Sequence, residues 1–414
     1  MLRLAIAFLA ITFLPAFGES TGQMPEIRGD GFVVEKFADG IPNSPTTMAF
    51  VGDDILVLQK SDGQVRLVRD GVVQPIPVLD VNVANEGEQG MLGIAAVGTT
   101  VYLYYSESDR DGGDPVAKRA YRYEWNGLGL VNPVLVRDLD ETQFYHNGGA
   151  MVASPDGAVY IALGDAGRYG ALQNHSDELY EDTSVIMRVD RGEPYYSIGI
   201  RNSFGLAVDP ATGRLWDTEN GDDDFDEINL VERNSNSGWY AIMGPATEQE
   251  IAGLRGYKDY QYSDPEFSWE QVVSPTGLAF VQSEPLKKFN DSLFVGDCNY
   301  GNLYKFTLNE SRDGLAFASA QLSDNVANTE DAQDEIIFGT GFGCVTDIEM
   351  GPDGLLYIVS LSEGTIFRIL PEGIVQQQQA PDSSWKAYLY YGLGAIAAAG
   401  IAIAAYALRK RRHM

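Results

Sequence analysis

The sequence contains little positive charge. Its 414 residues include 29 lysines and arginines against 59 aspartates and glutamates, which gives a formal net charge of −30 at pH 7. Such a surface repels nucleic acids and phosphate polymers, so these partners are excluded. It suits neutral ligands, cations or a salty exterior, and solubility alone would also account for it.

Cysteine, histidine and helical patterns are also scarce. Cys298 and Cys344 are the only cysteines, so the chain has at most one internal disulfide, with two buried free thiols as the alternative. Three histidines leave few candidates for imidazole chemistry. Few segments outside the two ends have a helical pattern, so the composition and pattern favour an all-β fold.

The amino-terminal end has the pattern of a secretory signal. Met-Leu-Arg is followed by an uncharged apolar run from Leu4 to Phe17, which is too short to cross a bilayer easily. This pattern predicts a signal peptide over residues 1–18, and a buried amino-terminal helix is the alternative.

The carboxy-terminal end has the pattern of a membrane anchor. Residues 388–408 are uncharged and long enough to span the hydrocarbon core, and the basic tail 409–414 follows. The positive-inside tendency places this tail in the cytoplasm and residues 19–371 outside the cell, joined by a polar stalk over residues 372–387. We therefore expect a single-pass protein of the cell membrane; a soluble hydrophobic helix is the alternative.

A repeated pattern runs through the predicted ectodomain. A segment rich in small apolar residues is followed by a turn and a second apolar strand, at spacings of about 45 to 80 residues. The first segments of the six repeats begin at Met48, Gly93, Gly149, Gly205, Gly277 and Ile348. Six such units predict a six-bladed β-propeller, in which small residues fit the crowded central channel. A β-sandwich is the alternative.

Polar residues precede each of these first segments. A propeller would gather them at one mouth of the channel, as binding residues are gathered on rigid scaffolds. They are Thr46, Thr47, Glu88, Gln89, Tyr145, His146, Asn147, Arg201, Asn202, Ser274, Pro275, Cys344 and Thr346. Asp165 ends the neighbouring strand of the repeat that contains His146, and a carboxylate beside an imidazole makes a general base.

An acidic stretch follows the second strand of the fourth repeat. Residues 219–227 carry six carboxylates, including Asp222 and Glu227, and these repel one another unless a cation lies among them. Oxygen ligands at this density suit Ca²⁺. A solvated acidic loop is the alternative, because the whole surface is acidic.

Motifs in a fixed order identify a family resemblance. Residues 87–94 (GEQGMLGI), 146–149 (HNGG), 201–207 (RNSFGLA), 218–221 (TENG), 274–280 (SPTGLAF) and 351–357 (GPDGLLY) occur in sequence. The chain resembles the soluble glucose and aldose sugar dehydrogenases that depend on pyrroloquinoline quinone (PQQ), also called the glucose/sorbosone dehydrogenase family. The resemblance covers residues 31–370 and implies a six-bladed propeller.

The resemblance also implies residue roles. His146 matches the base that deprotonates the C1 hydroxyl of an aldose, which is oxidised to a lactone, and Asp165 matches its orienting carboxylate. Arg201 and Asn202 match residues that contact PQQ, and Glu88 stands where many members have glutamine. The carbonyls of Gly221 and Asp222 match ligands of the Ca²⁺ that polarises PQQ. Electrons would pass to an acceptor in the membrane or outside the cell.

The sequence departs from the family at three cations. Positions 344 and 346, where the family has arginines, are Cys344 and Thr346, and Asn299 replaces a lysine. PQQ is a tricarboxylate, so each missing cation costs about 1.5–3 kcal/mol of charge-assisted bonding. The alternatives to the enzyme are therefore a propeller that has lost PQQ and binds a sugar, a cation or a protein, and a Ca²⁺-dependent lactonase.

The cysteines coincide with these departures. Cys344 replaces one arginine, and Cys298 precedes Asn299, on repeats that are neighbours in the ring. Since the predicted compartment is oxidising, this placement predicts a Cys298–Cys344 disulfide.

Overall fold

The computed structural model describes residues 24–139, 143–170, 182–191, 194–329, 331 and 333–373. The predicted signal peptide (1–18), transmembrane helix (388–408) and basic tail (409–414) lie outside these residues, as does the predicted stalk beyond residue 373. In the part of the chain that is described, no helix has the length and apolar character needed to cross a membrane.

The strands of the described residues form six sheets, numbered here by the chain order of their innermost strands. Sheet 1 contains Pro45–Val51, Asp54–Gln59, Gln64–Arg69, Val72–Val73 and Leu79–Asp80. Sheet 2 contains Met91–Val97, Thr100–Ser108, Pro115–Trp125 and Leu130–Leu139. Sheet 3 contains Met151–Ala153, Val159–Leu163, Val185–Arg188, Ser197–Ile198, Ser235–Asn236 and Gln261–Tyr262.

The remaining strands form sheets 4, 5 and 6. Sheet 4 contains Ser203–Val208, Leu215–Glu219, Asp224–Val231, Phe267–Gln271 and Val326–Ala327. Sheet 5 contains Pro275–Val281, Ser292–Asp297, Leu303–Leu308, Leu315–Ala316, Ile337–Thr340 and Glu26–Ile27. Sheet 6 contains Val345–Met350, Leu356–Ser360, Thr365–Pro371 and Phe32–Ala38.

The innermost strands form a ring. Each lies against the innermost strand of the next sheet, and that of sheet 6 lies against that of sheet 1. The strand Phe32–Ala38, near the start of the described chain, pairs antiparallel with the last described strand, Thr365–Pro371. Sheet 6 therefore combines an early and a late segment of the chain, which closes the ring. Sheets arranged radially with their innermost strands in a ring form a β-propeller, so the all-β propeller that the repeats predict is confirmed.

Small residues are needed where innermost strands meet. A Cβ atom on Gly205 would collide with the carbonyl oxygen of Thr276 on the next innermost strand, and one on Gly277 would collide with the backbone of Asp347. The glycines of the repeat therefore permit close approach between neighbouring strands of the ring.

Apolar clusters fill the spaces between neighbouring sheets. One of them, between sheets 4 and 5, contains Trp216, Phe267, Trp269 and Phe306, all of which are buried. Helices are short in the described residues: the α-helix is Glu248–Gly253 and the 3₁₀ helix is Lys287–Phe289. The α-helix begins at a capping box in which Thr247 and Glu250 each bind the other's backbone N–H.

A disulfide joins sheets 5 and 6. Cys298 directly follows the strand Ser292–Asp297, Cys344 directly precedes Val345–Met350, and the two are bonded across a sequence separation of 46. Cys344 is buried, and its N–H donates to the Ser362 hydroxyl at 2.9 Å. The predicted disulfide is confirmed.

Candidate active site

The predicted site residues lie on one face of the ring, which we call the mouth. Neighbouring strands in each sheet run antiparallel at the centre, so the start of an innermost strand lies beside the end of the second strand. Residues preceding innermost strands are Glu88, His146, Arg201 and Asn202, and residues following second strands are Asp165, Gly221 and Asp222.

His146 and Asp165 form a hydrogen-bonded pair at the mouth. His146 Nδ1 lies 2.6 Å from Asp165 Oδ1; the imidazole is 19% exposed and the carboxylate is fully buried. Asp165 also accepts the N–H groups of Gly167 at 2.8 Å and Tyr169 at 3.0 Å, and the indole N–H of Trp239 at 2.7 Å. A carboxylate held on four sides is a rigid support for the imidazole.

The charge state of Asp165 decides the tautomer of His146. Burial raises the pKa of Asp165, but the hydrogen bond and charge of His146 and the donors of Trp239 and Gly167 outweigh burial, so this pKa lies below its usual range. An ionised carboxylate only accepts, so Nδ1 of His146 must carry the hydrogen. The neutral ring then keeps its lone pair on Nε2, where a hydroxyl proton can be received.

The backbone of His146 has an unusual conformation. Its φ is +52°, a region that few residues other than glycine adopt. The His146 carbonyl accepts the N–H of Ala166 at 3.2 Å, and the following Gly148 also has positive φ. Backbone strain of this kind is often found at functional sites, because the surrounding structure must hold it in place.

Glu88 links three segments of the mouth. Its carboxylate accepts the N–H of Asn147 at 3.0 Å and the amide of Asn202 at 3.2 and 3.3 Å. The side-chain Oδ1 of Asn202 in turn accepts the N–H of Gly148 at 3.1 Å. Glu88 and Asn202 therefore fix the loop that carries His146.

Arg201 is held by acidic and backbone partners. Its guanidinium pairs with Asp222 at 2.8 Å and donates to the carbonyl of Asn220 at 3.0 Å, and it lies over the Trp239 ring at 5.2 Å from the ring centre. The Arg201 carbonyl accepts the N–H of Asp165 at 2.8 Å, which connects this residue to the His146 pair. Its positive charge is therefore largely balanced by Asp222.

The acidic stretch 219–227 divides into two groups. The structure makes it a hairpin between Leu215–Glu219 and Asp224–Val231, in which Asp222, Asp223 and Asp224 are exposed. Glu219, Asp226 and Glu227 are buried. No group of three or more acidic, histidine or cysteine side chains is placed to hold a metal ion among the residues the structure describes.

The buried members already have protein partners. Asp226 accepts the N–H groups of Gly221 at 2.8 Å and Ser274 at 2.7 Å, and Glu219 accepts the N–H of Arg201 at 2.6 Å. Glu227 accepts the N–H of Gly244 at 2.5 Å. The expectation that the six carboxylates surround one cation is therefore wrong, because half of them point into the fold and bind its backbone.

Burial raises the pKa of the buried carboxyl groups in and beside this hairpin. Desolvation raises the pKa of Glu227 to about 8 and that of Asp217, which lies on the neighbouring strand, to about 7. Desolvation and the nearby charge of Glu227 raise the pKa of Glu219 well above its usual value. These carboxyl groups form a buried acidic layer beneath the mouth.

The sequence did not indicate Trp239. This side chain binds Asp165 and lies against Arg201, so it joins the base pair to the arginine. It lies in the segment between the short strands Ser235–Asn236 and Gln261–Tyr262, outside the repeated pattern. The sequence shows only that Trp239 is one of five tryptophans and follows Gly238, which does not single it out.

Comparison with known proteins identifies a family of sugar dehydrogenases. The model of the glucose/sorbosone dehydrogenase family matches residues 42–368. Aldose sugar dehydrogenase YliI of Escherichia coli is 25% identical over 359 residues, which is 79% of this chain and 90% of that protein.

Solved structures agree with this match. A structure from Thermus thermophilus, described as a putative oxidoreductase (glucose dehydrogenase), has a TM-score of 0.65 and 25% identity and covers 82% of this chain and 100% of that one. The PQQ-bound form of aldose sugar dehydrogenase from Streptomyces coelicolor shares the fold, with a TM-score of 0.62, 23% identity and coverage of 84% and 99%. With more than half of its length matched by the family model, the chain belongs to the glucose/sorbosone dehydrogenase family.

Proposed function

We propose that the protein is a PQQ-dependent aldose sugar dehydrogenase that oxidises the C1 hydroxyl of its substrate to a lactone. The observation that carries the proposal is the His146–Asp165 pair, which lies at the mouth of a propeller of this family. We infer that each of the six sheets is one blade. Reduction of a dye acceptor by the purified protein loaded with PQQ and calcium, across several aldoses, tests the proposal.

The mouth offers donors that fit a quinone cofactor. Within the described part of the chain, Arg201 Nε and the Asn147 amide are buried and have no hydrogen-bond partner, although a buried donor without an acceptor is costly. Carbonyl and carboxylate oxygens would satisfy these donors. Arg201 and Asn147 are therefore the residues with buried donors left to hold PQQ, and the family resemblance adds Asn202, whose amide is bonded to Glu88.

The chemistry follows from the tautomer of His146. Nε2 receives the proton of the sugar C1 hydroxyl as the C1 hydrogen departs with its electron pair. Asp165 stabilises the imidazolium that forms, because it is ionised and accepts from Nδ1. PQQ, when bound, supplies the two-electron acceptor for this hydride.

The cofactor is expected to bind weakly because the three family cations are replaced by neutral groups. Asn299 donates to the carbonyl of Val272 at 3.4 Å, Thr346 donates to that of Pro45 at 3.2 Å, and Cys344 is in the disulfide. Arg201, the cation that the family resemblance places at PQQ, is already paired with Asp222. An anionic cofactor must therefore compete with a carboxylate of the protein.

Replacing Asp222 with asparagine is expected to tighten PQQ binding. The change frees the Arg201 guanidinium for a carboxylate of the cofactor, and a gain of about tenfold corresponds to about 1.4 kcal/mol. Fluorescence quenching during PQQ titration measures the dissociation constant. Asp223→Asn is the matched control, because it removes the same charge from the exposed turn without touching the ion pair; an equal gain in both variants would contradict the account.

We infer that calcium belongs to the same site, with the carbonyls of Gly221 and Asp222 as its ligands. Hard cations bind oxygen ligands, and three exposed carboxylates in this turn raise the local negative potential. Asp226 fixes the turn by accepting the N–H of Gly221, so its carbonyls are held in place.

Calcium is expected to raise the melting temperature of the protein, and EDTA is expected to lower it. Binding to the folded state alone stabilises by about 2.7 kcal/mol at a concentration of about 100 times the dissociation constant. Magnesium, which demands a tighter octahedral shell, is the control and should have a smaller effect. An unchanged melting temperature with either reagent, together with no calcium in elemental analysis, would remove calcium from the proposal.

We also propose that the enzyme acts outside the cell, anchored in the cell membrane by one helix at residues 388–408 with its carboxy terminus in the cytoplasm. The support is the sequence pattern of the two ends. An acceptor in the membrane or outside the cell would then receive the electrons.

A further inference from the structure

Lys60 is a cation at the mouth to which neither the sequence pattern nor the proposed chemistry gives a task. It directly follows Asp54–Gln59, the second strand of sheet 1. Its N–H donates to the carbonyl of Ser44 at 3.0 Å, and its carbonyl accepts the N–H of Met91 at 3.1 Å. Ser44 precedes the innermost strand of sheet 1, and Met91 begins that of sheet 2. Lys60 therefore lies where these two strands start, beside the channel.

The side chain of Lys60 is held by the segment 87–90. Its ammonium group donates to the carbonyl of Gly87 at 2.7 Å. A Cβ atom on Gly90 would lie 2.7 Å from Lys60 Cγ and 2.3 Å from the Lys60 carbonyl oxygen. Glycine at position 90 therefore leaves the space that this side chain occupies, and the backbone of the same segment fixes its end.

The ammonium group keeps hydrogen-bonding capacity for a ligand. A protonated lysine can donate three hydrogen bonds, and Lys60 makes one, to a backbone carbonyl. Burial lowers the pKa of Lys60, and the nearby charge of Glu88 offsets this effect only in part. Within the described part of the chain, Lys60 forms no ion pair. A partly buried charge without an ionic partner is costly, so an anion bound here would be stabilising.

The position of Lys60 in the ring complements that of Arg201. Sheet 1 lies between sheets 6 and 2, and sheet 4 lies between sheets 3 and 5, so sheets 1 and 4 are opposite each other across the channel. Arg201 stands just before the innermost strand of sheet 4. Cys344 and Thr346, which replace the family arginines, are at the start of the innermost strand of sheet 6. Lys60 therefore supplies positive charge on the side of the mouth where the arginines are missing.

We propose that Lys60 binds one carboxylate of the quinone cofactor and so replaces, from sheet 1, part of the charge that the missing arginines would supply from sheet 6. This inference rests on the proposed function, which places PQQ at the mouth. A tricarboxylate has an anionic group for each of the two cations. Arg201 must exchange Asp222 for the cofactor, whereas Lys60 has no carboxylate to release.

The test is titration of the purified protein with PQQ in the presence of calcium, followed by quenching of protein fluorescence. Lys60→Gln keeps a donor for the carbonyl of Gly87 but removes the charge, and should raise the dissociation constant about tenfold or more. Lys60→Arg keeps the charge and should recover most of the affinity. Lys287→Gln is the matched control, because this exposed lysine lies between the first and second strands of sheet 5, on the face opposite the mouth. The control should bind PQQ as the wild type does.

A neutral analogue separates a charge contact from a structural role. The trimethyl ester of PQQ has the same ring system without carboxylate charge, so wild type and Lys60→Gln should bind it equally. Loss of an ionic contact should also make PQQ affinity less dependent on sodium chloride concentration in Lys60→Gln than in the wild type. If Lys60 merely supports the segment 87–90, the substitution would weaken both ligands alike and leave the salt dependence unchanged, which would overturn the inference.

The result for Lys60 is independent of the result for the oxidation. PQQ that binds more weakly to Lys60→Gln, but supports no sugar-dependent dye reduction in the wild type, would uphold the inference and defeat the proposed oxidation. Dye reduction by the wild type, with equal PQQ affinity in wild type and Lys60→Gln, would defeat the inference alone.

Discussion

Replacing His146 is expected to lower kcat of the PQQ-loaded protein by about 10²–10⁴, the usual contribution of a general base. Its Nε2 is the group that takes the proton, and Asp165 cannot replace it, because that carboxylate is buried and still accepts from Gly167, Tyr169 and Trp239 when the imidazole is gone. The measurement is steady-state reduction of a dye acceptor at saturating aldose.

The choice of variant matters because His146 has positive φ. Asparagine adopts this region more readily than alanine, so His146→Asn removes the base with less backbone strain. An unchanged melting temperature shows that the fold is intact, and unchanged PQQ affinity shows that the cofactor donors are intact. Turnover equal to that of the wild type in His146→Asn would take His146 out of the mechanism.

Loss of the Cys298–Cys344 disulfide is expected to destabilise the protein by about 2–4 kcal/mol, mainly because the cross-link restricts the unfolded chain. The bond ties the innermost strand of sheet 6 to the second strand of sheet 5. The variant Cys298→Ser, Cys344→Ala keeps the buried position 344 apolar. Urea denaturation, with the free energy extrapolated to water, measures the loss.

Reduced wild-type protein is the control for that variant. It lacks the bond but keeps both sulfur atoms, so its stability should match that of the variant within about 1 kcal/mol. If neither reduction nor substitution changes the urea midpoint, the bond contributes nothing to stability. Mass spectrometry of a digest without reductant checks the bond itself.

Local repetition explains why much of the fold was predictable. Gly205 and its counterpart Gly277 recur because neighbouring innermost strands approach too closely for a Cβ atom. The need for glycine at these positions produces a repeated pattern in the sequence. The pairing of His146 with Asp165 followed from the same repeat, since an antiparallel hairpin brings the start of one strand beside the end of the next. The disulfide followed from two cysteines at neighbouring repeats.

Other features of the site depend on side-chain direction, which the pattern does not specify. Residues 219–227 were expected to be a loop of converging carboxylates, but Glu219 and Glu227 face each other across paired strands and are buried. Asp222 binds Arg201 because it lies at the tip of that hairpin. Trp239 reaches Asp165 from a segment outside the repeat, so spacing alone could not reveal it.

The central claim is that this chain uses PQQ to oxidise an aldose with His146 as the base. The most direct measurement is the rate of dye reduction by the purified protein after incubation with PQQ and calcium, with neutral aldoses as substrates and His146→Asn alongside. The account predicts reduction that requires both PQQ and sugar, produces a lactone and falls by about 10²–10⁴ in the variant. PQQ that binds without any sugar-dependent reduction, or fails to bind even to Asp222→Asn, would contradict the account and leave a propeller that binds ligands at its mouth without oxidising them.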